Sequence, residues 1–200
     1  MSAATHLKEF PAHIKDFPTP VKKDGFTCDD IRALPEGKRA ELINGHWYDM
    51  ATPNTEHQRI VSVLTWKLCS HIEDHDGDCQ VFPAPYAVFL TESEKNWLEP
   101  DIIVVCDPDK IKEDGCHGAP DLVVEVTSPS TIKRDMGVKL MKYRTDGVKE
   151  YWLINPDTKT TSVFSFDPDV EKVGGNQFAF TDELTSELYP AFSIRLSDYL

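Results

Sequence analysis

No apolar run in this 200-residue chain approaches the length of a membrane span. The longest, such as Ile102–Cys106, last only a few residues, whereas a spanning helix needs about 20. The opening "MSAATHLKEFPAHIKDF" lacks the long apolar core of a secretion signal. Basic charge is also scarce: 21 Lys and Arg stand against 34 Asp and Glu, a net charge of −13. That balance excludes holding nucleic acid by an overall basic surface, because phosphate neutralisation dominates such binding. A role on DNA would need a local positive patch, divalent cations or a partner. There is no CxxC, and the five cysteines (Cys28, Cys69, Cys79, Cys106, Cys116) are odd in number and scattered. They read as reduced thiols, mostly packing residues, in a cytoplasmic protein. Internal repeats and low-complexity tracts are absent too.

What is present describes an ordinary globular chain, with 40% hydrophobic and 10% aromatic residues. Residues 1–26 are polar and proline-containing, and read as an extended N-terminal arm. The remainder, 27–200, reads as a single domain. "TCDDIRALPEG" predicts a short helix with Thr27 as N-cap and Asp30 completing a capping box. Asn44-Gly45, between two apolar runs, predicts a hairpin. Apolar residues at 60, 64, 68 and 72 predict a helix that Gly77 stops. Strands follow in "CQVFPAPYAVFL", "DIIVVCD", "DLVVEVT", "YWLINP" and "TSVFSF", with a last strand and closing turn in "AFSIRLSDYL". The segment 130–147 predicts a helix facing inward through Met136, Leu140 and Tyr143 and ended by Gly147. The whole predicts an α/β fold, a mixed central sheet flanked by helices.

One stretch carries chemistry. "PDLVVEVTSPSTIKRD", residues 120–135, reads as a buried strand, yet it holds Asp121 and Glu125. A carboxylate inside an apolar strand is costly unless something positive meets it. Asp121 is not a co-ligand for Glu125, because i and i+4 of a strand stand about 13 Å apart. The preceding strand offers Asp101. Antiparallel pairing of 101–106 with 121–127 would set Asp101 beside Glu125, whereas parallel pairing would set it beside Asp121. Two converging carboxylates suit Mg²⁺, with Mn²⁺ as a substitute. Alone, Pro-Asp before a strand starts a turn, and a strand Glu commonly pairs with a structural cation. Their combination in neighbouring strands favours the functional reading. The surroundings are close to neutral: residues 121–150 hold six basic and five acidic side chains.

"EPDIIVVCDP", "APDLVVEVTSPST", "RDMGVKLMKY" and "GVKEYWLINP", in this order, resemble the Uma family of endonucleases in the PD-(D/E)XK nuclease superfamily. The resemblance extends back through "RAELINGHWYDM", "HQRIVSVL" and "VFPAPYAVFL", and covers roughly residues 27–200. It implies a restriction-endonuclease-like fold and Mg²⁺-dependent hydrolysis of phosphodiester bonds in DNA. On this likeness Asp101 is the Asp of the PD motif, Glu125 is the acidic residue of (D/E)XK, and Glu41 is an additional acid near the metal. The motif lysine is missing, since Thr127 holds its place. Lys139, on the following helix, is the candidate replacement; the alternative pairs it with Asp135 at i−4. Lys133 is a weaker candidate cation. His57, at a predicted helix start, is a candidate phosphate contact or simply a capping histidine. Ser130 or Thr131 suits a helix cap, and Tyr143 and Glu150–Trp152 suit core and sheet packing.

Two functions from different classes follow. The first is a Mg²⁺-dependent endonuclease acting on DNA, cytoplasmic, with a homodimer suited to double-strand cutting. The second is a catalytically weak or inactive nuclease-fold module that binds or regulates. The missing lysine and the strong acidity motivate the second.

Overall fold

The computed structural model describes residues 5–7 (backbone only), 25–91, 94–166 and 174–200. Most of the expected arm lies outside the described residues. Its Thr5–Leu7 forms strand β1. There follow α1 (Cys28–Arg32), β2 (Ala40–Ile43), β3 (His46–Asp49), α2 (Thr55–Asp74), β4 (Gln80–Pro83), β5 (Val88–Phe89) and β6 (Ile102–Val105). Next come β7 (Ile111–Lys112), β8 (Gly115–His117), β9 (Leu122–Val126), α3 (Ile132–Arg134) and α4 (Leu140–Asp146). The chain closes with β10 (Glu150–Asn155), β11 (Thr160–Ser165), β12 (Gly175–Ala179), β13 (Leu184–Thr185) and β14 (Ser193–Ile194).

Local chemistry explains the first elements. The Thr27 N–H donates to Asp30 Oδ2 at 2.8 Å, one arm of the capping box that starts α1. Asn44 (φ 52°) and Gly45 (φ 81°) both turn left-handed between β2 and β3, as a two-residue hairpin loop requires. Asn54 caps α2 by accepting the His57 N–H at 2.9 Å. Ile60, Leu64, Leu68 and Ile72 then form one buried stripe along α2.

The central sheet has the order β1-β12-β11-β10-β9-β6-β4. Its pairings are antiparallel except for β9 with β10, which run parallel across the helical connection. Strands β6, β9 and β10 are buried on both faces, so they read as continuous apolar runs. Alternation sorts their side chains into two cores. Ile102, Val104, Leu122, Val124, Trp152 and Ile154 pack with the α2 stripe. Ile103, Val105, Val123, Tyr151 and Leu153 pack with Leu140, Tyr143 and Ile43 on the other side. Asp101 and Glu125 fall on this second face by period two.

Two expectations need correction. The cysteines are not all free: Cys79 and Cys106 are disulfide-bonded. They flank the paired strands β4 and β6, where Gln80 opposes Val105, so the register brings residues 79 and 106 together. The helical segment is also not one regular helix, although Met136 does pack against the second core. Residues Asp135–Lys139 form a π turn between α3 and α4, in which the Leu140 N–H reaches the Asp135 carbonyl five residues back. The wider turn buries Asp135, Lys139 and Leu140 and leaves Met136 half-buried. Such turns occur mostly as single insertions, frequently at functional sites. Gly147 ends the segment at φ 96°. No helix among the described residues is long and apolar enough to cross a membrane.

Candidate active site

Antiparallel pairing sets Ile102 opposite Val124 and Ile103 opposite Val123. One step further, the register puts Asp101 opposite Glu125. The parallel alternative, with Asp101 beside Asp121, is excluded. Asp121 is instead occupied at the other end of β9: its Oδ2 accepts the Cys106 N–H at 2.7 Å, and its Oδ1 meets Lys149 at 2.7 Å. That is a structural role.

Asp101 is tethered from both layers. Its Oδ2 accepts the Val126 N–H at 2.7 Å and lies 3.2 Å from His57 Nε2. His57 comes from the first turn of α2, on the opposite side of the sheet from α4. Burial pushes the His57 pKa down, but the adjoining Asp101 carboxylate outweighs it, and the net shift is upward. The histidine thus favours its charged form beside an acid.

Glu125 is 6% exposed. Its Oε1 accepts the Lys139 ammonium at 2.7 Å and the Tyr143 hydroxyl at 2.9 Å. Burial, reinforced by the Asp135, Glu41 and Asp101 carboxylates, pushes its pKa up to about 8 despite Lys139. Lys139, 1% exposed, also donates to Glu41 Oε1 at 2.7 Å. Burial would lower the Lys139 pKa, but the Glu125 and Glu41 carboxylates reverse that, and it stays fully charged. Glu41 is fully buried on β2, and its Oε1 also accepts the Glu99 N–H at 3.1 Å. Burial alone would raise the Glu41 pKa; Lys139 and Arg134 hold it below its ordinary value.

The structure therefore brings Asp101, Glu125, Lys139, Glu41 and His57 into one cluster. Lys139 bonds to Glu125 and Glu41 rather than to Asp135. Lys133 stays outside, exposed on α3 with no ion pair among the described residues. Thr127, in the motif lysine's place, is buried, and its hydroxyl has no partner among the described residues.

Three contributors escaped the sequence reading. Tyr143, expected only to pack, donates to Glu125. Arg134 lies 3.3 Å from Glu41 Oε2 and 3.4 Å from Asp135 Oδ1. Asp135 is itself buried, and burial raises its pKa. For Arg134 and Asp135 the signal available was "RD" in the first turns of the helical segment, two charges where a buried face begins.

The donor set suits a hard cation with few protein ligands. Asp101 Oδ1 and Glu125 Oε2 carry no hydrogen bond among the described residues. Two free carboxylate oxygens from facing positions match Mg²⁺, which keeps several of its waters. Among the described residues, no group of three or more His, Cys, Asp and Glu side chains is placed to hold a metal ion. The oxygens of Glu41 face cations and a backbone N–H instead.

Comparison with known proteins adds the family. A curated protein of Synechocystis sp. (strain ATCC 27184 / PCC 6803 / Kazusa), "Uncharacterized protein slr1290", is 30% identical over 121 residues, which is 60% of this chain. The matched region spans 62% of the length of that relative. A crystal structure of "a putative nuclease" from Anabaena variabilis ATCC 29413 superposes with a TM-score of 0.69 at 21% identity. It covers 88% of this chain and 97% of that one, so the restriction-endonuclease-like α/β fold is shared. Residues 28–197 match the family described as "Uma2: Putative restriction endonuclease", and the chain belongs to that family.

Proposed function

We propose that this protein is a Mg²⁺-dependent nuclease that hydrolyses phosphodiester bonds in DNA, with Asp101 and Glu125 as the cation-holding pair. One observation supports the reading: the antiparallel register sets these two residues opposite each other on one face of the sheet, with Lys139 2.7 Å from Glu125. A Mg²⁺ ion, or Mn²⁺ in its place, supplies Lewis-acid polarisation of a phosphoryl oxygen and acidifies water. The chain's own residues do the rest. The Val126 N–H and His57 fix the Asp101 carboxylate, and Tyr143 fixes Glu125. Lys139 takes the part of the missing motif lysine, a permanent positive charge beside Glu125 that can neutralise charge building on the scissile phosphate. Glu41 anchors Lys139, and serves as a cation ligand only when Lys139 and Arg134 leave its oxygens. A homodimer would present two such sites to the two strands of a duplex; its size in solution by light scattering tests that.

The experiment is cleavage of plasmid DNA by the purified chain with and without Mg²⁺. Stimulated cutting by wild type that vanishes in Glu125→Ala supports the proposal. Cutting that persists in the variant sinks it and points to a contaminant or another site. A second reading, a nuclease-fold module without activity, is favoured by the grip of Lys139 on both Glu125 and Glu41. It predicts no cation-dependent cleavage by wild type, and DNA binding that Glu125→Ala leaves intact.

A further inference from the structure

We propose that Arg134 is the residue through which this site grips a backbone phosphate of duplex DNA. The inference rests on the nuclease reading and adds a substrate anchor to it. Its basis is a guanidinium whose donors are almost unspent. Arginine carries five N–H donors in a rigid fork. Within the protein, Nε donates to Asp135 Oδ1 at a long 3.4 Å. Nη2 lies 3.3 Å from Glu41 Oε2, yet that oxygen accepts no hydrogen bond, so the contact is a charge pair alone. The terminal N–H groups therefore lack an acceptor among the described residues, although the side chain is only 13% exposed. An enclosed charge with so few partners is costly. A phosphate offers what is missing: two oxygens that match the fork bidentately.

The surroundings hold the fork rigid. Its carbon lies 5.3 Å from the centre of the Tyr48 ring, which fixes the guanidinium plane. Glu41 and Asp135 hold it from other sides. Because Arg134 and Lys139 share Glu41, and Lys139 touches Glu125, two side chains link the anchor to the acidic pair. Lys139 cannot grip a phosphate directly, being 1% exposed with two of its donors bound to carboxylates, and acts through its charge alone. The π turn at Asp135–Lys139 is what lets two cations five positions apart meet one carboxylate.

The competing role is a mere counter-ion for Glu41. That role needs charge, not a fork, so Arg134→Lys should fulfil it. The test measures binding of a short duplex oligonucleotide by fluorescence anisotropy with Ca²⁺ in place of Mg²⁺, alongside KM and kcat for cleavage with Mg²⁺. Arg134→Lys is expected to weaken Kd and raise KM by about tenfold or more, with the loss falling on KM rather than kcat. Tyr48→Leu, which frees the guanidinium plane but keeps its charge, should shift Kd and KM in the same direction by less. Thermal unfolding reports whether each variant is folded. If Arg134→Lys binds and cleaves with wild-type Kd and KM, the anchor is refuted while the nuclease reading stands. If Arg134→Lys does not fold, an unaltered Kd and KM in Tyr48→Leu refutes it equally. A wild-type chain that neither binds nor cuts the duplex overturns the nuclease reading and the anchor with it.

Discussion

Replacing Glu125 with Gln should flatten the dependence of stability on pH, and the structure sets the size of the effect. In the cation-free protein the Glu125 carboxyl titrates near 8 instead of 4.5, because burial and three neighbouring acids oppose its charge. Below pH 4.5 both folded and unfolded chains hold the proton, so Glu125 adds no slope. Between 4.5 and 8 only the unfolded chain releases it, so stability falls as pH rises. Above 8 both forms are ionised and the loss is complete. A displacement of this size corresponds to about 5 kcal/mol across the window, and about 3 kcal/mol by pH 7. The group is almost wholly enclosed, so solvent screening removes little of this. Gln keeps the oxygen that accepts from Lys139 and Tyr143 but never ionises. Glu41, whose depressed pKa contributes stability above its unfolded value, is present in both proteins. The assay is urea unfolding in EDTA from pH 5 to 9, wild type against Glu125→Gln. The wild type should lose several kcal/mol relative to the variant between the ends of that range. Parallel pH profiles for the two proteins would refute the buried, proton-holding carboxyl. Added Mg²⁺ should restore wild-type stability at pH 8 to 9 and leave the variant unmoved, since a ligand stabilises only the state that binds it.

Two further outcomes follow from the same geometry. Lys139→Met leaves Glu41 and Glu125 facing each other without their shared cation, at a cost of about 3–5 kcal/mol; combining it with Glu125→Gln should recover part of that loss in denaturant unfolding. Glu150→Gln serves as a control away from the acidic pair. The Glu150 carboxylate accepts from Trp152 Nε1, Ser186 Oγ and the Glu187 and Leu188 N–H groups, so the variant should lose about 1–3 kcal/mol of stability while its Mg²⁺ dependence of cleavage stays that of wild type.

Much of the fold is legible residue by residue because its causes are local. Asn44-Gly45 makes a hairpin because two adjacent residues must turn left-handed. The four-residue spacing of Ile60, Leu64, Leu68 and Ile72 makes a stripe whatever it later packs against. The apolar runs around 102–105 and 122–126 announce strands buried on both faces. From these alone Asp101 and Glu125 stand out as charges at odds with their surroundings.

Which charges meet is another matter. The same residues allow Asp101 to face Glu125 or Asp121, and only the antiparallel pairing of β6 with β9 selects the first. Lys139 reads equally as a surface partner of Asp135, four residues away. Its bond to Glu41, 98 residues distant, exists because the β2–β3 hairpin packs over the helical segment after β9. The Arg134–Glu41 contact shares that origin, whereas the Cys79–Cys106 bond comes from the pairing of β4 with β6. Periodicity and turn chemistry act over a few residues, so sequence alone determined the elements and the suspicious acids. Coulomb and hydrogen-bond contacts act over a few ångströms, so only the packed tertiary structure decided their partners.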